Sequence, residues 1–242
     1  MCHPWLAAGA TCFVILLLVR ELAPIARERG PQAAAMESGL LGVRLRTWFR
    51  DRIAPVVGLL LSFGLTANYV TFSQLGASLV CSLAYARGWM FTAGWILITC
   101  GTLDVLDGEM ARREGRAGPR GAFIDSVVDR YGESAVFAGL VAFYRDTWVL
   151  WGVLAAWAGG FLVSYMRARA ESLGIDCREG LLQRPERYVL LGVASMVSQI
   201  VTHISCSSTG HHDLVAGGIF VLAILANATA LQRAHGTLRK LA

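Results

Sequence analysis

Charge is scarce in this sequence. Only 16% of its 242 residues are Asp, Glu, Lys or Arg, while 55% are hydrophobic. That balance excludes a disordered chain and is poorer in charge than a soluble domain usually is. Internal repeats and low-complexity tracts are also lacking, so nothing marks a linker between two domains. No CxxC pair occurs among the six cysteines Cys2, Cys12, Cys81, Cys100, Cys177 and Cys206. Several sit in apolar runs, which favours buried or lipid-facing thiols over zinc or disulfides. His211, His212 and Asp213 fit no standard metal-ligand spacing and read as a solvated turn. The formal net charge is +5, but no separate basic soluble domain is present, so no nucleic-acid partner is expected.

What is present is a series of long apolar runs separated by short arginine-bearing segments, with a mean hydropathy of +0.52. This predicts an all-α membrane protein: six transmembrane helices preceded by an N-terminal amphipathic juxtamembrane helix. Residues 1–35 read as an N-terminal extension, and 36–242 as one membrane domain. "WLAAGATCFVILLLV" (5–19) suits a signal anchor better than a signal peptide, because basic residues are absent before it. A start at Met36 is the alternative.

Arg44, Arg46, Arg50 and Arg52 mix with Leu, Trp48 and Phe49, as in a helix lying on an anionic membrane surface. Thr66 or Asn68 can then cap a new helix. The six hydrophobic helices are expected at about 68–86, 89–113, 121–144, 147–172, 184–205 and 212–234. Arginines cluster after the second helix (Arg112, Arg113, Arg116, Arg120), after the fourth (Arg167, Arg169, Arg178, Arg184, Arg187) and after the sixth (Arg233, Arg239, Lys240). Six crossings put all of these on one face, and the positive-inside rule makes that face cytoplasmic.

Against this background "LDVLDGEMARREGRAGPRGAFIDSVVD" (103–129) stands out. Asp104 and Asp107, three apart, lie roughly 60° apart around a helix axis. Asp125 and Asp129, four apart, share a face of the next helix. A short linker makes the two helices antiparallel, so both pairs reach the same depth and can face each other. Two ionised carboxylates ~4 Å apart at an effective dielectric of 20 repel by about 4 kcal/mol, so cations or protons must intervene. Pairing to arginines such as Arg112 or Arg130 is one solution. Oxygen-only ligands for Mg²⁺ or Mn²⁺ are the other, and two bridged ions would suit chemistry on phosphate. Gly108 and Ala111 lie on the face of Asp104, and Gly121 opens the following helix. They serve either close helix packing or room for a flat ligand. Arg112 is the nearest cation able to hold phosphate oxygens.

The pattern D104-x-x-D107-G108-x-x-A111-R112, eight residues, then G121-x-x-x-D125-x-x-x-D129 resembles the complete signature of the CDP-alcohol phosphatidyltransferases. The family's "TPN" before its first membrane helix stands here as Thr66-Ala67-Asn68. The resemblance implies an enzyme in which an acceptor hydroxyl attacks the β-phosphorus of a CDP-diacylglycerol-type lipid and CMP leaves. It implies that Asp104, Asp107, Asp125 and Asp129 hold two Mg²⁺ or Mn²⁺ ions, with Asp129 also the catalytic base. Gly108, Ala111, Arg112 and Gly121 would line the nucleotide site. A homodimer in the cell membrane, with its active site on the cytoplasmic face, is implied too.

"SYMRARAESLGIDCREGLLQRPERYVLLG" (164–192) resembles the phosphatidylinositol-phosphate synthase branch and its archaeal ether-lipid relatives. The acceptor implied is inositol 1-phosphate, its phosphate gripped by Arg167, Arg187 and Arg233. That branch often carries lysine where Arg167 stands, and a guanidinium binds phosphate with different geometry. Glycerol 3-phosphate is the rival acceptor. A membrane cation transporter and a non-catalytic CDP-lipid-binding protein are the rivals from other classes.

Overall fold

Lipid offers a backbone no hydrogen bonds, so an apolar chain satisfies them internally by forming helices. The computed structural model of the protein describes residues 42–115, 118–177, 180, 182–204 and 213–241. Among these there are helices and no strands: α1 Gly42–Ser62, α2 Ala67–Ala86, α3 Met90–Arg113, α4 Pro119–Tyr144, α5 Val149–Ser172, α6 Arg184–Ile204 and α7 Asp213–Leu241. The expected helices are all present. The last runs on to Leu241, past its expected end at 234, because its polar tail is tied down: Lys240 Nζ donates to the Asp176 carbonyl at 3.0 Å. The N-terminal extension 1–35, the His211–His212 pair and Cys2, Cys12 and Cys206 lie outside the described residues. Cys81, Cys100 and Cys177 are free and buried, as the sequence led us to expect.

Local signals explain the boundaries. α1 ends where Gly64 takes φ 73°, a left-handed conformation costly for other residues. Gly64 N–H then donates to the Leu61 carbonyl and Leu65 N–H to the Leu60 carbonyl, closing the last turn with the pair of bonds of a Schellman motif. Gly88 after α2 and Gly174 after α5 end those helices in the same way. Thr66 takes the extended backbone of an N-cap, although its hydroxyl makes no capping bond. α6 begins with one leg of a capping box: the Glu186 carboxylate accepts the backbone N–H of Gln183.

α1 and α2 meet at 110°, so the arginine-bearing helix lies across the bundle it precedes. α2 packs on α3 and α4, α3 on α6, and α5 on α7. The main core fills this bundle with residues such as Tyr85, Leu97, Leu140, Val153 and Ile219. A smaller cluster, Ile53, Val57, Val70, Leu106 and Met110, seats α1 against α2 and α3. Close approach depends on glycine. A Cβ on Gly94 of α3 would stand 2.6 Å from the Gly192 carbonyl oxygen of α6. Phe72, Leu79, Trp95, Trp151 and Ile224 point outward and leave an apolar exterior.

Among the described residues, α3, α5 and α7 are long and apolar enough to cross a membrane, with the bent α1–α2 pair as a fourth candidate. α4 and α6 differ in a specific way. Their first turns carry Arg120, Asp125, Asp129, Arg130 and Glu133, and Arg184, Glu186 and Arg187. These charges gather at the end of the bundle where α2, α4 and α6 begin and α3, α5 and α7 finish.

Candidate active site

The antiparallel run of α3 into α4 places Asp104 opposite Asp125 and Asp129. One carboxylate oxygen from each lies within 4.8 Å of the others. Asp107 stands beside this group. It is buried, accepts the Thr71 hydroxyl at 2.7 Å, and lies within electrostatic reach of Asp104 and Asp125. Gln74, one turn along α2 from Thr71, donates from Nε2 to Asp129 Oδ1 at 3.3 Å. Asp125 Oδ1 is buried with no partner among the described residues. An orphaned buried carboxylate oxygen is costly unless something cationic or protic meets it. Three converging carboxylates, oxygen donors only and one of them unmatched, suit a hard divalent cation.

An arginine enters the acidic cluster. Arg184, in the first turn of α6, reaches Asp104 Oδ1 from Nη1 at 2.7 Å and forms an ion pair with Asp129 Oδ2. Its Nη2 donates to the Tyr188 hydroxyl at 3.2 Å, and its guanidinium sits 5.1 Å from the centre of that ring. The arginines considered as partners from sequence are engaged elsewhere. Arg112 pairs with Glu109 at 2.7 Å, one helical turn away. Arg130 pairs with Glu133 at 3.4 Å and donates to the Ser164 hydroxyl. Sequence reasoning had assigned Arg184 to topology alone.

The small residues beside the acids now separate the two explanations offered for them. Among the described residues, a Cβ on Gly121 would meet nothing within 4 Å, and one on Gly108 only Arg112 Nη1 at 3.7 Å. None of the described helices packs there. They leave the space next to the carboxylates open, and helix packing falls to Gly94, Gly139 and Gly192 instead. Ala111 is half-buried on the same stretch of α3, and Arg112 is exposed.

The three arginines expected at a phosphate lie near one another, with Arg167 and Arg187 both within electrostatic range of Arg233. Their present engagements differ. Arg167 is exposed and pairs with Glu171 at 2.8 Å. Arg233 is buried, its Nη1 donating to the Val163 carbonyl at 2.7 Å. Arg187 is 3% exposed and gives Nε and Nη2 to Glu133 Oε1 at 3.0 and 2.7 Å. Gly160 of α5 makes this pair possible, because a Cβ there would fall 2.8 Å from Glu133 Oε1. Thr71, Gln74, Glu133 and Arg184 were all missed from sequence. Glu133 left a trace as a carboxylate four residues beyond Asp129, and Arg184 one as a member of an arginine cluster.

The chain is 36% identical over 169 residues to the archaetidylinositol phosphate synthase of Methanothermobacter thermautotrophicus, covering 70% of this chain and 81% of that protein. It is 34% identical over 145 residues to the phosphatidylinositol phosphate synthase of Cutibacterium acnes, covering 58% and 70%. Among solved structures it resembles the Mycobacterium tuberculosis phosphatidylinositol phosphate synthase with CDP-DAG bound, at TM-score 0.65 and 29% identity, over 76% of this chain and 92% of that one. The same enzyme in complex with manganese and citrate matches at TM-score 0.66 and 28% identity, over 76% and 88%. The CDP-alcohol phosphatidyltransferase family model matches residues 64–226. With its acidic cluster inside that match, the chain belongs to the CDP-alcohol phosphatidyltransferase family.

Proposed function

We propose that this enzyme transfers a phosphatidyl group from a CDP-diacylglycerol-type lipid to inositol 1-phosphate, giving phosphatidylinositol phosphate and CMP. The observation that carries the reaction is the convergence of Asp104, Asp125 and Asp129 within 4.8 Å beside open space at Gly108 and Gly121. Asp104, Asp107, Asp125 and Asp129 would hold two Mg²⁺ or Mn²⁺ ions, as the manganese complex of the M. tuberculosis relative supports. Bound there, such ions neutralise pyrophosphate and stabilise departing CMP. Gly108, Ala111, Arg112 and Gly121 border the space for the cytidine nucleotide. The Asp129 carboxylate takes the proton of the acceptor hydroxyl as its oxygen bonds to the β-phosphorus and the P–O bond to CMP breaks.

Arg167, Arg187 and Arg233 supply positive charge for the acceptor's own phosphate. The names of both curated relatives support an inositol phosphate as that acceptor. In this proposal α2 to α7 are six transmembrane helices and α1 lies on the membrane surface. Residues 36–242 are the catalytic domain and 1–35 an extension to it. The enzyme sits as a homodimer in the cell membrane with its charged end in the cytoplasm, where a water-soluble acceptor meets a lipid donor. Purified protein with Mg²⁺ and CDP-diacylglycerol, offered inositol 1-phosphate, inositol, glycerol 3-phosphate and serine in turn, tests this. CMP release with inositol 1-phosphate alone is expected. Release with glycerol 3-phosphate alone makes that compound the acceptor, and release with none removes the proposal.

A further inference from the structure

We propose that Arg184 is an internal counter-cation that competes with the divalent ion for Asp104 and Asp129, holding the acidic cluster together when metal is absent and withdrawing when metal binds. This rests on the metal-site reading above and goes beyond it. The Arg184 Nη1 atom occupies the space between two of the three converging carboxylates, one from α3 and one from α4. A divalent ion placed among the same three carboxylates would lie close to that guanidinium, and the two cations repel.

The partnership also looks exchangeable in its hydrogen bonding. Arg187 and Glu133 form a mutually satisfied buried pair, with Nε and Nη2 both donating. Arg184, less completely buried, has an Nε with no partner among the described residues, and Asp125 Oδ1 is likewise unmatched. One guanidinium among three carboxylates leaves the cluster only partly neutralised and incompletely matched. Tyr188, one turn along α6, gives the guanidinium a hold that does not involve the carboxylates, through its hydroxyl and its ring face. Metal entry thus takes the carboxylates from Arg184 and leaves it the contacts with Tyr188 that it already makes.

The test is a Mn²⁺ titration of detergent-purified enzyme, with free Mn²⁺ read by electron paramagnetic resonance and no substrate present. Arg184→Gln should bind Mn²⁺ at least about tenfold more tightly than the wild type, a shift of ~1.4 kcal/mol. Its melting temperature should be lower without metal and rise further on adding it. Arg184→Lys, which keeps the charge, should bind much as the wild type does. Should Arg184→Gln not survive without metal, purification in Mn²⁺ followed by chelator-driven release gives the same comparison, with slower release expected from the variant. Equal or weaker Mn²⁺ affinity in Arg184→Gln, release as fast as from the wild type, or Arg184→Lys binding as tightly as Arg184→Gln overturns the proposal. A wild type that binds no Mn²⁺ refutes the metal site itself, a separate and distinguishable failure.

Discussion

Replacing Glu133 with alanine should strand Arg187. Both side chains are almost completely buried, at 2% and 3% exposure, and Glu133 Oε1 takes two of the guanidinium's donors at 3.0 and 2.7 Å. Its other oxygen meets Arg130 at 3.4 Å. Removing one partner from a buried ion pair leaves an uncompensated charge in low dielectric and costs about 3–5 kcal/mol. Glu133→Gln keeps the shape and an acceptor oxygen, so it should cost less. Glu133→Ala combined with Arg187→Met removes both charges, and it should be less destabilised than Glu133→Ala alone. Thermal unfolding in one detergent, across the wild type, the single variants and the double variant, measures these differences. The same proteins report on function. Glu133→Gln should raise the acceptor KM more than the CDP-lipid KM, because the arginine it steadies belongs to the proposed acceptor site. Stability of Glu133→Ala within about 0.5 kcal/mol of the wild type, the range of ordinary surface changes, would refute the reasoning. So would simple additivity of the two single variants.

Asp129→Asn should abolish CMP release while largely sparing CDP-lipid binding, as single-turnover kinetics and equilibrium binding will tell; near-normal turnover removes Asp129 as base. Thr71→Val keeps the shape but takes away the donor on Asp107. Mn²⁺ affinity in the titration above should fall about 10–100-fold, as for other lost supports of ligating carboxylates. Two glycine substitutions should part company. Gly94→Ala forces a Cβ to 2.6 Å from the Gly192 oxygen and should destabilise by about 1–3 kcal/mol in thermal unfolding. Gly121→Ala, with nothing within 4 Å among the described residues, should keep its melting temperature and raise the KM for CDP-lipid.

The helices were legible because apolar runs of membrane length are bounded by charge and glycine, and the spacings of Asp104, Asp107, Asp125 and Asp129 carry helical phase directly. Antiparallel α3 and α4 followed from the short linker, and with it the meeting of Asp104 with Asp125 and Asp129. The hydrogen bond that holds Asp107 was not legible. It depends on Thr71, a neutral residue 36 positions earlier in an apolar helix. Gln74 is hidden for the same reason: one polar side chain in a hydrophobic stretch leaves no periodic mark. Arg184 lies 80 residues from Asp104, and only the packing of α6 on α3 brings them together. Sequence could place it at the right end of the bundle and no closer. Burial is likewise a tertiary property. Arg187 and Arg233 look like surface topology signals in the sequence, yet both are buried in the fold.

Anomalous diffraction at the manganese edge, from crystals grown with Mn²⁺ and CDP-diacylglycerol, addresses the core of this account most directly. Manganese peaks in contact with Asp104, Asp125 and Asp129, under the pyrophosphate of the lipid, are the predicted result. Manganese bound elsewhere, or a pyrophosphate seated away from these carboxylates, would contradict it.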